Sequence, residues 1–119
     1  MLVLPIKKKW FDMIKSGEKK EEYREFKRYY DNRLPKYFGT FITDVNGISY
    51  GWNENNERIV VFRNGYSRLA PQIKCLCTLS IGSGIYKWGA EPHKQYYILK
   101  ILKIYKEDER NGKRKSKVV

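Results

Sequence analysis

A glycine and three charged residues near the start of the chain stand at a spacing suited to ligand binding or proton transfer. Gly17, Lys19, Glu22 and Arg24 form the pattern G-x-K-x-x-E-x-R within the stretch Gly17-Glu18-Lys19-Lys20-Glu21-Glu22-Tyr23-Arg24. A glutamate beside an arginine stays ionised, fixes the guanidinium orientation and leaves N–H donors for a phosphate or a base edge. A nearby lysine adds a movable positive charge. The pattern therefore indicates either a site for an anionic, hydrogen-bonding ligand or a solvated ladder of surface charges.

The predicted elements on either side of this stretch set the directions of its side chains. An apolar stripe predicts an amphipathic helix over Lys7–Ser16 that Gly17 ends, and the stripe consists of Ile6, Trp10, Met13 and Ile14. The alternation of residues 20–26 predicts a strand, in which residues two apart share a face and lie about 6.5 Å from each other. Lys19 stands at the mouth of this strand. The residues expected on its ligand-facing side are Lys20, Glu22 and Arg24.

The rest of the chain predicts a fold built mainly from strands. Further strands are predicted at Leu2–Ile6, Glu57–Arg63, Pro71–Ile81 and Gln95–Tyr105. Gly82-Ser83-Gly84 is expected to break the strand that precedes it, and residues 28–38 predict an irregular or briefly helical, basic-aromatic segment. Tyr50 and Trp52 are expected on a hairpin arm. Because these strands do not alternate regularly with helices, we expect an α+β, mainly β fold, a small β-barrel or strongly curved sheet with one or two flanking helices.

The length and charge of the chain indicate one basic domain. A chain of 119 residues is long enough for a single core without metals or disulfides. We expect the domain to span residues 1–105 and a flexible basic tail to span residues 106–119. The net charge is +12, and most of the excess lies in residues 1–38 and 100–119. This charge, interleaved with aromatic residues, favours a polyanionic partner, with RNA or DNA first.

Several function classes are disfavoured by the composition. Apolar stretches fall short of a membrane span, and the N-terminus places its apolar part before its basic part, unlike a secretory signal. Cys75 and Cys77 are predicted as reduced, half-buried core thiols of a cytoplasmic protein. A zinc site is not expected because His93, predicted in an exposed loop, is the only histidine. The glycines at 82 and 84 do not match a dinucleotide fingerprint, so neither a metal nor a cofactor is expected.

Four residues outside the charged stretch are second candidates for ligand binding. Arg63, Asn64 and Tyr66 surround an Asn-Gly turn that follows a predicted strand, where binding residues often lie. Trp88 lies in a loop bounded by glycine, where it could stack on a base or pack over one end of the barrel. The sequence leaves both roles of Trp88 open.

The ordered set of motifs resembles the ASCH family, a branch of the PUA-like superfamily. The resemblance covers residues 1–105 and rests on the G-x-K-x-x-E-x-R pattern, followed by Arg63-Asn64-Gly65-Tyr66, Gly82-Ser83-Gly84, Trp88-Gly89-Ala90-Glu91 and Tyr96-Tyr97-Ile98-Leu99-Lys100-Ile101. It implies a compact β-barrel with a cleft beside the first helix, faced by Lys19, Glu22 and Arg24. The family is associated with RNA binding, and some small bacterial members hydrolyse acylated cytidine nucleosides. In those hydrolases a threonine stands where this chain has Glu22.

Three functions follow as hypotheses. The first is an RNA- or nucleotide-binding module whose polar cleft is built around Lys19, Glu22 and Arg24. The second is a metal-free hydrolase of RNA or of a modified, acylated nucleoside, with Lys19 as base or electrostatic stabiliser and Glu22 as acid or base. The third is a module that binds an acidic protein partner through its basic and aromatic surface.

Overall fold

The computed structural model describes residues 1–39 and 56–105 of the chain. The strands in these ranges are β1 (Leu2–Ile6), β2 (Glu21–Arg24), β3 (Arg58–Asn64), β4 (Gln72–Ser83) and β5 (Gln95–Tyr105). The helices are α1 (Lys8–Lys15), α2 (Arg28–Asp31) and α3 (Leu34–Tyr37), and a 3-10 turn spans Tyr86–Trp88. The hairpin arm predicted around Tyr50 and Trp52 and the basic tail predicted over residues 106–119 lie outside the described residues.

The five strands form one curled sheet in the order β1-β3-β4-β5-β2. β1 runs parallel to β3, whereas β3, β4, β5 and β2 pair successively in antiparallel fashion. The sheet curls into a half-barrel with short helices beside it, which confirms the predicted α+β, mainly β fold. β1 and β2 are its two edge strands, and the gap between them is the open side of the half-barrel.

Helix α1 positions the chain that leads into β2. Its core-facing side chains are Phe11 and Ile14, which are buried, while Trp10 is half-buried. The helix ends at Gly17, whose φ of +89° is a left-handed conformation that glycine adopts without steric cost. The N–H of Gly17 donates to the carbonyl of Ile14 at 3.0 Å. The predicted helix is confirmed, although Phe11 was missing from the predicted apolar stripe.

The core lies on one face of the sheet and is lined by the alternating residues of β4. Ile73, Cys75, Cys77 and Leu79 are all buried, as their period of two predicts. Both cysteines are free thiols and fully buried rather than half-buried. Burial raises the pKa of Cys75 to about 12 and also raises the pKa of Cys77.

Gly82 does not break β4, contrary to the prediction, and the strand ends at Ser83, directly before Gly84. β4 continues through Gly82 and Ser83, which pair with Tyr96 and Gln95 of β5. A Cβ atom on Gly84 would lie 2.5 Å from the Cβ of Ala90 and 2.7 Å from the ring of Tyr23. Glycine therefore fits at position 84 because the end of the strand and the following loop approach each other closely there. None of the described helices is long and apolar enough to cross a membrane.

Candidate binding cleft

The open side of the half-barrel contains a cleft of about 750 Å³. This volume lies within the range of about 300–1,000 Å³ that is usual for small-molecule sites. The cleft is lined by the ends of β1 and β2, the start of α1, the loop after β3 and the loop before β5. The lining residues are Pro5, Ile6, Lys7, Lys8, Trp10, Glu22, Tyr23, Arg24, Glu25, Lys27, Tyr30, Asn64, Gly65, Tyr66, Gly89, Glu91 and Tyr96.

Lys19 lies beneath this cleft with only 1% of its surface exposed. The left-handed turn at Gly17 reverses the chain, and the N–H of Lys19 then donates to the carbonyl of Met13 at 2.9 Å. This turn directs the lysine side chain into the protein. Its ammonium group donates to the backbone carbonyl of Trp88 and lies 3.2 Å from Oε1 of Glu22. Lys19 is therefore a buried charge with two oxygen partners rather than a movable surface charge.

Two aromatic rings complete the surroundings of the Lys19 ammonium group. Its Nζ lies 4.9 Å from the ring centroids of both Trp10 and Tyr23, which are cation–π contacts. Burial lowers the pKa of Lys19 from its ordinary value, because desolvation disfavours the charged form. The adjacent Glu22 carboxylate acts in the opposite direction and supports the ammonium form.

Glu22 bridges the two cations of the predicted trio. Its Oε2 accepts hydrogen bonds from Nε of Arg24 at 3.1 Å and from Nη2 of Arg24 at 2.7 Å, while Oε1 faces Lys19. Glu22 and Arg24 share a face of β2 because they stand opposite Leu99 and Tyr97, both core residues of β5. The sequence pattern therefore predicts correctly that these two side chains lie together.

Arg24 connects the two edge strands, β2 and β1, and one of its N–H donors has no protein partner among the described residues. Its Nη2 donates to the carbonyl of Pro5 in β1 at 3.1 Å, and its Nη1 donates to the hydroxyl of Tyr30 at 2.8 Å. A guanidinium has five N–H groups. Four of them are used by Glu22, Pro5 and Tyr30, and the remaining Nη1 N–H has no partner within the described ranges. Despite desolvation, the Glu22 charge raises the pKa of Arg24, so the guanidinium remains charged.

Asn64 and Tyr66 reach the same cleft from the loop after β3. The N–H of Gly65 donates to the carbonyl of Ile6 at 3.0 Å, which joins this loop to the end of β1. Gly65 has a φ of +98°, so glycine is favoured at this bend. Asn64 is half-buried and Tyr66 is 88% exposed, so the two residues form a wall and a rim of the cleft.

Two other predicted site residues, Lys20 and Arg63, do not line the cleft. Lys20 precedes β2, is exposed and borders a separate depression of about 200 Å³ with Leu102 and Lys103. Arg63 donates from Nε to the Oε1 atom of Gln72 at 2.7 Å. β2 begins at Glu21, so Lys20 lies just before the strand that carries Glu22 and Arg24 and does not border the cleft.

Trp88 is buried, with 9% of its surface exposed, and it does not border the cleft. The sequence allowed two roles for the Trp88 ring, which were stacking on a base and packing over the end of the barrel. The structure places the ring inside the protein. Its backbone carbonyl holds Lys19. Its indole N–H is buried without a hydrogen-bond partner among the described residues.

Four aromatic residues of the cleft, unlike Tyr66, were not predicted as site residues. Trp10 and Tyr30 line the cleft, as do Tyr23 and Tyr96, whose rings lie 5.6 Å apart. The hydroxyl of Tyr23 donates to Glu21 and accepts from the N–H of Ile85. The helical stripe identified Trp10 as a core residue, and this interpretation gave no indication that Trp10 also lines the cleft. For Tyr30 the available signal was the basic-aromatic composition of residues 28–38.

The cleft brings charged and aromatic side chains together. No cluster of three or more metal-ligating side chains occurs among residues 1–39 and 56–105. The cleft offers a fixed guanidinium donor, aromatic walls and a rim that bears Lys7, Lys8 and Lys27. Comparison of the chain with protein-family models, curated proteins and solved structures finds no match.

Proposed function

We propose that this protein is an RNA- or nucleotide-binding module whose ligand occupies the cleft between β1 and β2. The observation that carries the proposal is the arginine donor at this cleft: Arg24 is held by Glu22, Tyr30 and Pro5, and one N–H remains for a ligand. A pre-oriented guanidinium loses little conformational freedom when it binds a planar or anionic acceptor. The resemblance of residues 1–105 to the ASCH family supports the same cleft.

The surroundings of Arg24 match the parts of a nucleotide. Trp10 and Tyr23 supply ring surfaces on which a base can stack. Lys7 and Lys8 at the rim supply positive charge for a phosphate. The carboxylates of Glu22, Glu25 and Glu91 also border the cleft, and they favour a ligand that presents hydrogen-bond donors as well as acceptors.

Each residue of the charged trio has a distinct role in this proposal. Arg24 contacts the ligand, Glu22 orients Arg24, and Lys19 balances the charge of Glu22 from below. Asn64 and Tyr66 contact the ligand from the loop after β3. Lys20, Arg63 and Trp88 have no direct ligand contact in this scheme, because they do not border the cleft.

Titration of the full chain with nucleoside monophosphates tests the proposal. Trp10 lines the cleft, so a bound base is expected to change tryptophan fluorescence, and calorimetry gives the affinity independently. Arg24→Lys keeps the positive charge but loses the guanidinium fork. We expect this variant to weaken binding by about 1–3 kcal/mol, which is roughly 5- to 150-fold.

The matched control is Arg58→Lys, which alters a guanidinium at the start of β3, outside the cleft lining. It is expected to bind like the wild type, and circular dichroism verifies that both variants fold. Unchanged affinity in a folded Arg24→Lys variant contradicts the proposed ligand contact.

One observation favours a second candidate function. Burial lowers the pKa of Lys19, and a lysine with a lowered pKa is a better general base near neutral pH. This supports a metal-free hydrolase of RNA or of an acylated nucleoside, with Glu22 at the cleft and Lys19 behind it. Turnover that disappears in a folded Lys19→Met variant supports the hydrolase. Turnover that persists in this variant indicates a contaminating enzyme.

A further inference from the structure

The short helices beside the cleft present a second positively charged surface. We call this surface the α2–α3 basic face, and it consists of Arg28, Arg33 and Lys36 together with the ring of Tyr29. All three cations are exposed, and none forms an ion pair with a carboxylate in the part of the chain that the structure describes. The acidic residue within this segment, Asp31, accepts a hydrogen bond from the hydroxyl of Tyr97 at 2.6 Å. Asp31 thus offsets one of the three positive charges, and the face keeps a net positive charge.

A continuous row of rings and cations joins this face to the cleft. Tyr30 lines the cleft and packs edge-to-face against Tyr29, with 5.1 Å between ring centroids. The guanidinium of Arg33 lies 3.7 Å from the ring centroid of Tyr29, which is 54% exposed. The row thus runs from a wall of the cleft to a solvent-exposed stacked pair without an intervening acidic side chain.

A depression at the far end of β1 extends the row. This depression has a volume of about 780 Å³ and borders Leu2, Arg33, Lys36 and Tyr37. Leu2 begins β1 and Ile6 ends it at the cleft. With a rise of about 3.3 Å per residue, the two concave sites lie about 13 Å apart along the strand. A ligand that fills both must be longer than one nucleotide.

We propose that the α2–α3 basic face binds the backbone of a single-stranded polynucleotide whose terminal or unpaired base occupies the cleft. This inference rests on the proposed function of the cleft and adds that the natural ligand is a strand rather than a free mononucleotide. Arg28, Arg33 and Lys36 contact successive phosphates, and Tyr29 stacks on a base between them. Single-stranded sites commonly combine a basic groove with aromatic side chains in this way.

Stacking distinguishes this occupant from an acidic peptide. An acidic protein would use the three cations but would gain little from an exposed tyrosine ring that already has a guanidinium 3.7 Å from its centroid. Every base, in contrast, has a flat face that packs on such a ring. The observed alternation of ring and cation therefore fits a polynucleotide better than a carboxylate-rich surface.

The test compares short and long probes on the full chain. The probes are nucleoside monophosphates, unstructured RNA and DNA decamers of mixed sequence, and a poly-glutamate decamer. The variant Arg33→Ala/Lys36→Ala removes two exposed cations of the face. Its matched control, Lys100→Ala/Lys103→Ala, removes two exposed cations from β5.

We expect the wild type to bind both nucleic-acid decamers more tightly than any monophosphate. For two phosphate contacts to a single strand, the slope of log affinity against log salt should fall by about 1.4 in Arg33→Ala/Lys36→Ala, and affinity for the decamers at 0.1 M salt by about 25-fold. Monophosphate binding should stay within about two-fold of the wild type, because no cleft residue is changed. The RNA and DNA arms show which backbone is preferred.

Four results overturn the inference while leaving the cleft function intact. They are equal binding of monophosphates and decamers, equal losses in the variant and its control, full decamer affinity in Arg24→Lys, and poly-glutamate binding as tight as RNA. If neither monophosphates nor decamers bind, the proposed function itself fails, and the inference fails with it.

Discussion

Replacing Glu22 by glutamine should destabilise the protein strongly, and a second substitution should partly restore the lost stability. Glu22 is 7% exposed and lies between two buried cations, at 3.2 Å from Lys19 and 2.7 Å from Arg24. Glutamine keeps the shape but removes the charge and presents an amide donor toward other donors. Lys19 and Arg24 then face each other without a counter-charge.

The distances set the size of the effect. At an effective dielectric constant of about 20, the attraction of Glu22 is about 5 kcal/mol to Lys19 and about 6 kcal/mol to Arg24. Desolvation offsets much of this, and removal of one partner from a buried pair typically costs about 3–5 kcal/mol. We therefore expect Glu22→Gln to lower the free energy of unfolding by about 3–5 kcal/mol. Lys19→Met in the same chain removes one of the stranded cations and should restore about 1–3 kcal/mol.

Urea unfolding of the four proteins in this double-mutant cycle measures both quantities. Trp10 and Trp88 contact Lys19 and make tryptophan fluorescence a direct reporter, and a shared m-value verifies comparable unfolding transitions. Glu25→Gln is the control, because its carboxylate is at the surface beside Lys94, and it should change stability little. A Glu22→Gln change below about 0.5 kcal/mol, or additivity within that value in the cycle, refutes the buried network.

Three further predictions concern residues around the cleft and the core. Gly84→Ala places a Cβ atom 2.5 Å from the Cβ of Ala90 and should lower the free energy of unfolding in urea by about 1–3 kcal/mol. Gly82→Ala, whose nearest contact is 3.4 Å, should lower it less. Equal losses in the two variants contradict the crowding at Gly84. Because the folded-state pKa of Lys19 is lowered, the unfolded chain binds more protons between that pKa and 10.5. The free energy of unfolding of the wild type relative to Lys19→Met should therefore rise with pH over this interval, and a flat difference contradicts the lowered pKa. Burial raises the pKa of Cys75 to about 12 and also raises the pKa of Cys77. A disulfide reagent at pH 8 should therefore label the native thiols only as fast as the protein opens. Immediate labelling would show that the thiols are accessible in the folded state.

Local patterns predicted the strands and the first helix because those elements depend on residues close in sequence. The period of two placed Ile73, Cys75, Cys77 and Leu79 in the core, and the last strand has the predicted bounds, Gln95–Tyr105. The Glu22–Arg24 pair followed from the same periodicity, since residues two apart share a face of a strand. These predictions needed no knowledge of the distant chain.

The environment of Lys19 could not be predicted in this way. Its partner carbonyl belongs to Trp88, 69 residues away, and a backbone carbonyl carries no sequence signal. Trp10 was ambiguous because one ring serves both the helix packing and the cleft wall. Lys20 was expected within the strand, but β2 begins after the turn, at Glu21, and Lys20 is exposed beside a separate depression.

The pairing of β2 with β5 has a consequence for when the cleft can exist during folding. Glu22 lies opposite Leu99, so residues 77 positions apart must meet before β2 joins the sheet. Contacts at such sequence separation form late, because a long loop has to close first. A nascent chain released before residue 95 is translated would lack the neighbour of β2, so the cleft between β1 and β2 would stay incomplete until β5 has left the ribosome.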